Sequence, residues 1–100
     1  YGGGVIPMLA RRFGDNPAVD EVFIFGSWAA RYNDESGPPP NDVDVAVVSD
    51  SLTRFDLAEV HLDLVAESRL LINLFVFERD NERLAELRAS GVPVFERVPA

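Results

Sequence analysis

Residues 22–32 read Val-Phe-Ile-Phe-Gly-Ser-Trp-Ala-Ala-Arg-Tyr and residues 41–48 read Asn-Asp-Val-Asp-Val-Ala-Val-Val, with a polar, proline-rich loop between them. The first segment predicts a strand that is buried on both faces up to Phe25 and then turns into a short helix. The second predicts another largely buried strand, which opens with two aspartates. A loop this short favours antiparallel pairing, so we expect the two strands to be neighbours in one sheet.

The second strand begins with carboxylates two residues apart, at Asp42 and Asp44. Side chains at this spacing on a strand point to the same face, so the two groups are expected side by side. Acids on a buried strand need a partner, and close like charges repel unless a cation lies between them. Mg²⁺ is the usual cation for two hard oxygen donors, with arginines as the alternative partner. We therefore predict a site for Mg²⁺ or Mn²⁺ at Asp42 and Asp44.

A Gly26-Ser27 turn leads into the short helix. Free backbone N–H groups and a hydroxyl at such a turn can bind a phosphate, although Ser27 could also serve only as a helix cap. Arg31, further along the helix, could add a cation near the phosphates or be an ordinary surface arginine. A phosphate-binding turn and a metal-binding pair in one stretch predict a nucleoside triphosphate bound with its metal.

The order of these features resembles the signature of the DNA polymerase β-like nucleotidyltransferase superfamily in its minimal form. That signature is an apolar strand with Gly-Ser, here Phe23–Ser27, a short helix, and Asp-x-Asp in a second apolar strand, here Asp42–Val45. The resemblance covers roughly residues 20–78. More narrowly, Gly-Ser-Trp-Ala-Ala-Arg-Tyr with the proline-rich loop and Asn-Asp-Val-Asp is similar to the nucleotidyltransferase domains fused behind winged-helix, ArsR-type transcription regulators.

The resemblance implies a set of roles for these residues. Asp42 and Asp44 are expected to be the catalytic metal ligands, and Gly26, Ser27 and Arg31 are expected to bind the nucleotide phosphates. The implied reaction moves a nucleoside monophosphate from a nucleoside triphosphate onto an unknown acceptor and releases pyrophosphate.

A third carboxylate usually faces the first two in this superfamily, and here Asn73 stands at that place, within the apolar run at 70–77. An amide can offer one oxygen to a metal but cannot act as a general base. Asn73 is therefore either a third, neutral metal ligand or a buried amide bonded to the backbone. The regulator-fused subgroup that the sequence resembles often has Asn at this place, which supports the narrower resemblance.

Three functions remain open at this point. The first is an active nucleotidyltransferase. The second is a nucleotide-sensing or purely structural module of a transcription regulator, inactive because of Asn73. The third, by family analogy, is the antitoxin of a toxin–antitoxin pair that modifies a helical toxin partner. The same analogy would put a winged helix before Tyr1, and any DNA binding would then belong to that part.

Composition limits the classes of function. One hundred residues allow one domain, and the abrupt start at Tyr1 looks like a cut from a longer chain. The chain has no cysteine, no run long enough to span a membrane and no signal-peptide pattern, so we expect a cytoplasmic protein without membrane contact. The net charge of −8 argues against non-specific duplex binding, which needs a basic face.

The remaining periodicity predicts an α/β fold with a small mixed sheet of three to four strands and helices mainly on one face. His61 lies on the apolar stripe of the longest helix and is interpreted as a packed or partly exposed residue. Asp80 is expected to cap a helix that runs through Ala89, and Pro93 restricts the last strand to an edge or Pro93 itself to a strand start. The other predicted elements are helices at 5–13, 27–32 and 53–68 and strands at 19–25, 42–48, 70–77 and 92–98.

Overall fold

A computed structural model describes residues 4–33 and 42–97 of the chain. The proline-rich loop and residue 98 of the last predicted strand lie outside these ranges. Four helices and four strands alternate along the described residues. In chain order they are α1 (Val5–Gly14), β1 (Glu21–Phe25), α2 (Gly26–Tyr32), β2 (Asp42–Val48), α3 (Ala58–Ser68), β3 (Leu71–Phe77), α4 (Leu84–Ala89) and β4 (Val92–Glu96).

The four strands form one mixed sheet in the order β3-β2-β1-β4. β1 pairs antiparallel with β2, with Ile24 opposite Val45, as the short connection predicts. β3 pairs parallel with β2 because α3 carries the chain back to the starting end of the sheet. β4 pairs antiparallel with β1 and forms an edge, which is the position that Pro93 predicts. The predicted α/β class and mixed sheet are confirmed.

One face of the sheet is covered by three helices, and the other face by one. On the first face, Leu9 and Phe13 of α1, Trp28 of α2 and Leu64 of α3 are buried in one core with Val45 of β2. Leu84 of α4 packs on the opposite face against the cluster formed with Phe23, Ala46 and Val48. Helices therefore lie mainly on one face, as predicted, and α4 leaves one end of the other face open.

Helix α3 begins later than predicted. Residues 54–57 form turns, and the helix starts at Ala58 instead of residue 53. The Asp56 carboxylate accepts hydrogen bonds from the backbone N–H of Thr53, at 2.8 Å, and from its hydroxyl, at 3.1 Å. The backbone N–H groups of residues 56–58 donate to carbonyls three residues back, at 3.1 to 3.3 Å, so this segment forms tighter turns than an α-helix.

Helix α4 is also shorter than predicted, and Asp80 does not cap it. The helix begins at Leu84, where Arg83 is the N-cap residue without a side-chain cap bond. Asn81 Oδ1 accepts from the Arg83 N–H at 2.9 Å, so a local side-chain turn holds the backbone that was expected to be helical. Arg88 anchors α4 to β1 through Glu21 at 2.7 Å, and this bond raises the pKa of Arg88 above its usual value.

The described ranges contain no helix with the length and apolar character needed to cross a membrane.

Candidate functional site

Asp44 lies in the middle of three strands at the open end of the sheet. Its register partners are Phe25 on β1 and Asn73 on β3. Asn73 Nδ2 donates a hydrogen bond to Asp44 Oδ1 over 3.0 Å. Asn73 is exposed and its amide bonds a side chain, so the interpretation as a buried amide bonded to the backbone is wrong. The parallel pairing of β2 with β3 brings the third predicted site residue directly beside the second.

The Gly26-Ser27 turn lies against the other side of the Asp44 carboxylate. Gly26 has a φ of +77°, a region that favours glycine. A Cβ built on Gly26 would lie 2.6 Å from Asp44 Oδ2, closer than real atoms approach. Glycine is therefore required here twice, for its backbone angle and for the closeness of the carboxylate. The turn and the acid meet at one point of the structure.

Asp42 lies two residues before Asp44, opposite Leu71 of β3, and is exposed, whereas Asp44 is half-buried. The alternation of β2 puts both aspartates on the sheet face that is not covered by α1 and α3. No group of three or more His, Cys, Asp or Glu side chains in the described ranges could hold a metal ion. An ion at this place would therefore have two carboxylates and the Asn73 amide as its protein donors, and hard oxygen donors of this kind suit Mg²⁺.

The side chains of α2 differ in their exposure. Ser27 is exposed directly after Gly26, and Arg31 is half-buried in the last turn of the helix. Trp28 is buried, with 2% of its surface exposed, and stacks on Tyr32 with ring centroids 5.4 Å apart. Trp28 thus packs the short helix on the sheet. The roles of Ser27 and Arg31 towards a phosphate stay predictions.

His61 is a packing residue at the outer side of β3. It is half-buried on α3, and its Nε2 bonds the backbone carbonyl of Ile72. Since a carbonyl only accepts, Nε2 carries the proton. The imidazole therefore stabilises the contact between α3 and β3, in agreement with the interpretation of His61 as a packed or partly exposed residue.

Two open grooves along β3 were not foreseen from the sequence. One, of about 550 Å³, lies beside Leu74–Phe77 and the connection before α3. The other, of about 510 Å³, lies between Phe55, His61 and Phe75 and reaches Asn73. Neither is lined by Asp42 or Asp44. The signal that could have indicated them is the uncharged sequence of β3, whose Phe75 is 43% exposed.

The comparisons with known proteins give a fold and no family. No protein-family model and no curated protein matches the sequence. Solved structures match it at low identity. A tri-AMPylated Shewanella oneidensis HEPN toxin in complex with MNT antitoxin is 17% identical, with a TM-score of 0.67, over 97% of this chain and 74% of that one.

Two further solved structures agree. A toxin–antitoxin complex with AMP-PNP is 18% identical, with a TM-score of 0.66, over 92% of this chain and 73% of that one. The toxin–antitoxin MntA–HepT is 17% identical, with a TM-score of 0.63, over 93% and 71%. The similar chains are the nucleotidyltransferase antitoxins of these complexes. This chain has the nucleotidyltransferase fold.

Within the nucleotidyltransferase fold, the polymerase β-like architecture expected from the sequence is confirmed. The strand–turn–helix segment and the Asp-x-Asp strand are β1-α2 and β2, and they lie next to each other in the sheet. The fusion to an ArsR-type regulator stays a prediction.

Proposed function

We propose that this chain is a nucleotidyltransferase domain that binds a nucleoside triphosphate with Mg²⁺ or Mn²⁺ and transfers its nucleoside monophosphate to an acceptor hydroxyl. The observation that carries the proposal is the 2.6 Å approach between the Cβ position of Gly26 and Asp44 Oδ2. A phosphate on the Gly26-Ser27 turn would therefore lie beside a carboxylate, and a divalent cation makes such a neighbourhood favourable.

The residues fit the metal that the fold implies. Asp42 and Asp44 would hold it, with the Asn73 amide oxygen as a neutral third donor. Bound there, the metal would neutralise charge on the phosphates. The chain itself would bind the phosphates through the backbone N–H groups of Gly26 and Ser27 and the Ser27 hydroxyl. Arg31 would add a further cation.

In the proposed reaction, the acceptor oxygen forms a bond to the α-phosphorus while the bond from that phosphorus to the bridging oxygen breaks. Pyrophosphate leaves, and the acceptor proton passes to solvent. Asn73 cannot take this proton, because an amide is not a base at neutral pH. The chain therefore holds and orients both reactants and leaves general-base assistance, worth about 10²- to 10⁴-fold, unused.

We further propose that the nucleotide is ATP and that the acceptor lies on a protein toxin. The similar solved structures are toxin–antitoxin complexes, one with a tri-AMPylated HEPN toxin and one with AMP-PNP. A helical toxin partner was also the third function open from the sequence. We place this activity in the cytoplasm, where nucleoside triphosphates are available.

A second candidate is favoured by one contact, the hydrogen bond from Asn73 to Asp44. With Asn73 at this place, Asp42 and Asp44 are left to bind a metal-bound nucleotide, and no third acid is present to take the proton of the acceptor. A domain of this kind could sense a nucleotide or serve as a structural module of a transcription regulator.

The deciding experiment measures binding and transfer separately. The chain is titrated with ATP, GTP, CTP and UTP in Mg²⁺ or Mn²⁺, and then incubated with each nucleotide alone and with a candidate HEPN toxin. Added nucleotide mass on the toxin together with pyrophosphate supports the antitoxin proposal. Binding without transfer supports the sensing module. If none of the four nucleotides binds in the presence of metal, both the antitoxin proposal and the sensing module are contradicted, and only the structural module is left.

The Asp42→Asn/Asp44→Asn double variant is the negative control for the metal site. Asp63→Asn is a matched control, because Asp63 is an exposed acid on α3 and lies outside the candidate site.

A further inference from the structure

The two edges of the sheet differ in how they are protected. β4, at one edge, carries Pro93 and Glu96, and its pairing with β1 is interrupted by a register shift. Proline, charge and irregular pairing are the usual means by which an edge strand avoids pairing again. β3, at the other edge, reads Leu-Ile-Asn-Leu-Phe-Val-Phe, with no charge, no proline and no shift against β2. The β3 edge therefore has none of the features that protect β4.

The peptide groups of β3 point alternately towards β2 and away from the sheet. The Phe77 carbonyl accepts from the Ser49 N–H at 2.9 Å, so it faces the β2 side. The Ile72 carbonyl is five residues away, faces the outer side, and bonds His61 there. By the same alternation, the N–H and C=O groups of Leu74 and Val76 point outward. No hydrogen bond from another residue in the described ranges reaches these outward groups.

Apolar side chains surround this outer edge. Five large apolar residues of the described chain are exposed, and four of them lie on β3 or on the segment that includes α3. These four are Phe55 at 81%, Leu62 at 72%, Leu71 at 64% and Phe75 at 43%. The two grooves of about 550 and 510 Å³ meet at Leu74 and Phe75. Within residues 4–33 and 42–97, space, apolar contact area and peptide groups without a hydrogen-bond partner therefore coincide at this edge.

We propose that β3 is a self-association edge, at which a second copy of this chain adds its own β3 antiparallel along Leu74–Val76. A two-fold axis at Phe75 would put Leu74 of each copy opposite Val76 of the other. Residues opposite each other with outward groups exchange both of their hydrogen bonds. Phe75 would face its own counterpart as a cross-strand aromatic pair. The two four-stranded sheets would become one continuous sheet.

Two copies can meet at this edge without bringing charged side chains of their β3 strands together. The chain has a net charge of −8, so two copies repel where their acidic surfaces meet. All seven residues of β3 are uncharged, and the two-fold register puts Glu78 opposite Ile72 instead of opposite another acid. Every copy carries the same unprotected β3 edge, and self-pairing covers the β3 edges of both copies at once. The His61 bond to the Ile72 carbonyl sets one limit of the strip that is open to pairing.

Self-pairing would leave the candidate site open. It uses the outer edge of β3, whereas Asn73 bonds Asp44 across the face of the sheet. The two candidate sites would lie on the same face of the joined sheet. This inference does not rest on the proposed nucleotidyl transfer, and it can fail or hold independently of it.

The first test uses the unchanged chain. Sedimentation velocity over a range of concentrations should give the mass of a dimer instead of that of the 11.0 kDa chain. Amide hydrogen exchange is followed by NMR at low and high protein concentration. The exchange rates of the Leu74 and Val76 amides should fall by ~10-fold or more as the dimer becomes populated. A mass of one chain up to millimolar concentration overturns the proposal, even if another protein's strand is then found to bind there.

The second test uses charge at the centre of the pairing. Phe75→Lys and Phe75→Glu should each sediment as monomers, because like charges would face each other across the axis, and an equimolar mixture should recover the dimer. Ala85→Lys adds the same charge as Phe75→Lys on exposed α4 and should stay dimeric. A dimer that persists in Phe75→Lys, or a mixture that stays monomeric, overturns this interface. If circular dichroism shows that the variants are unfolded, amide hydrogen exchange of Leu74 and Val76 in the unchanged chain decides alone.

Discussion

Asn73 and Asp44 face each other in register on parallel strands, and Asn73 Nδ2 donates to Asp44 Oδ1 over 3.0 Å. The amide offers a neutral donor at a place where a carboxylate would add a third negative charge. The bond ties the Asp44 carboxylate to β3 and so positions it within the candidate site. In the proposed reaction the same amide cannot accept a proton from an acceptor hydroxyl, so we expect nucleotide binding with slow turnover.

Asn73→Asp should raise nucleotidyl transfer, because it supplies the carboxylate that the reaction lacks. General-base assistance is worth roughly 10²- to 10⁴-fold, so an increase of at least about 10² in pyrophosphate release is expected if transfer is slow in the unchanged chain. The metal-free variant should also melt at a lower temperature, since a bond is replaced by repulsion, and Mg²⁺ should reverse much of this loss. Robust turnover by the unchanged chain, with none gained by the variant, would show that Asn73 is not the limiting residue.

Asp44→Asn should weaken Mg²⁺-dependent nucleotide binding and leave the fold intact or more stable. Removing a residue that only hydrogen-bonds to a metal ligand lowers metal affinity by about 10- to 100-fold. Removing the charge of the ligand itself should lower the affinity at least as much. Calorimetric titration with ATP and Mg²⁺ measures the change. Asp63→Asn makes the same change of charge on an exposed part of α3 and should bind as the unchanged chain does. Equal affinities in all three proteins would make Asp44 a structural residue.

Gly26→Ala should destabilise the protein by about 2 kcal/mol. The left-handed backbone region costs a residue with a Cβ ~1–2 kcal/mol. The new Cβ would lie 2.6 Å from Asp44 Oδ2 and would force this oxygen to move. Urea unfolding gives the free energy, and titration with Mg²⁺ and ATP should show weaker binding in the same variant. Gly4→Ala is the matched control, because a Cβ there meets no atom within 4 Å and should change stability little.

Glu67→Gln should lower the free energy of unfolding at neutral pH, and this difference should disappear in acid. Hydrogen bonds and charge from Arg12, at 3.0 Å, and then from Arg11, at 2.6 Å, hold the pKa of Glu67 below its usual value. A carboxylate whose pKa is lowered on folding stabilises the protein above its unfolded-state pKa, about 4.3 for glutamate, and loses this effect as the pH falls through the folded-state pKa.

Urea unfolding at neutral pH and at a pH below the lowered pKa of Glu67 checks this prediction. Both arginines belong to α1 and Glu67 belongs to α3, so the measured difference reports the contact between these helices. The effect should be small and should shrink in high salt, because all three side chains are solvent-accessible. Glu59→Gln, at an exposed acid of the same helix, is the control and should show no comparable difference between the two pH values.

Local pattern was sufficient for the elements around the aspartates. An apolar run before Gly26 and another beginning at Val43 predict adjacent strands, and the structure has β1 and β2 paired antiparallel at these places. Local pattern failed at the starts of α3 and α4. There Asp56 and Asn81 bond nearby backbone N–H groups and hold turns where periodicity predicted helix. Such competition between a short polar side chain and the helix is decided by side-chain geometry, which periodicity does not contain.

The sequence by itself determined that Asp42 and Asp44 share a face and that a glycine stands where the first strand turns into the short helix, because strand alternation and turn chemistry act over a few neighbouring residues. Only the tertiary structure decided that Asn73 bonds Asp44, that Gly26 lies against the other oxygen of Asp44, and that β3 is an edge strand of the sheet. These relationships depend on the register between β2 and β3, whose paired residues lie 29 positions apart at Asp44 and Asn73. These two parallel strands are joined through α3 and not by a tight turn, so no turn fixes their register and the local sequence of neither strand contains it.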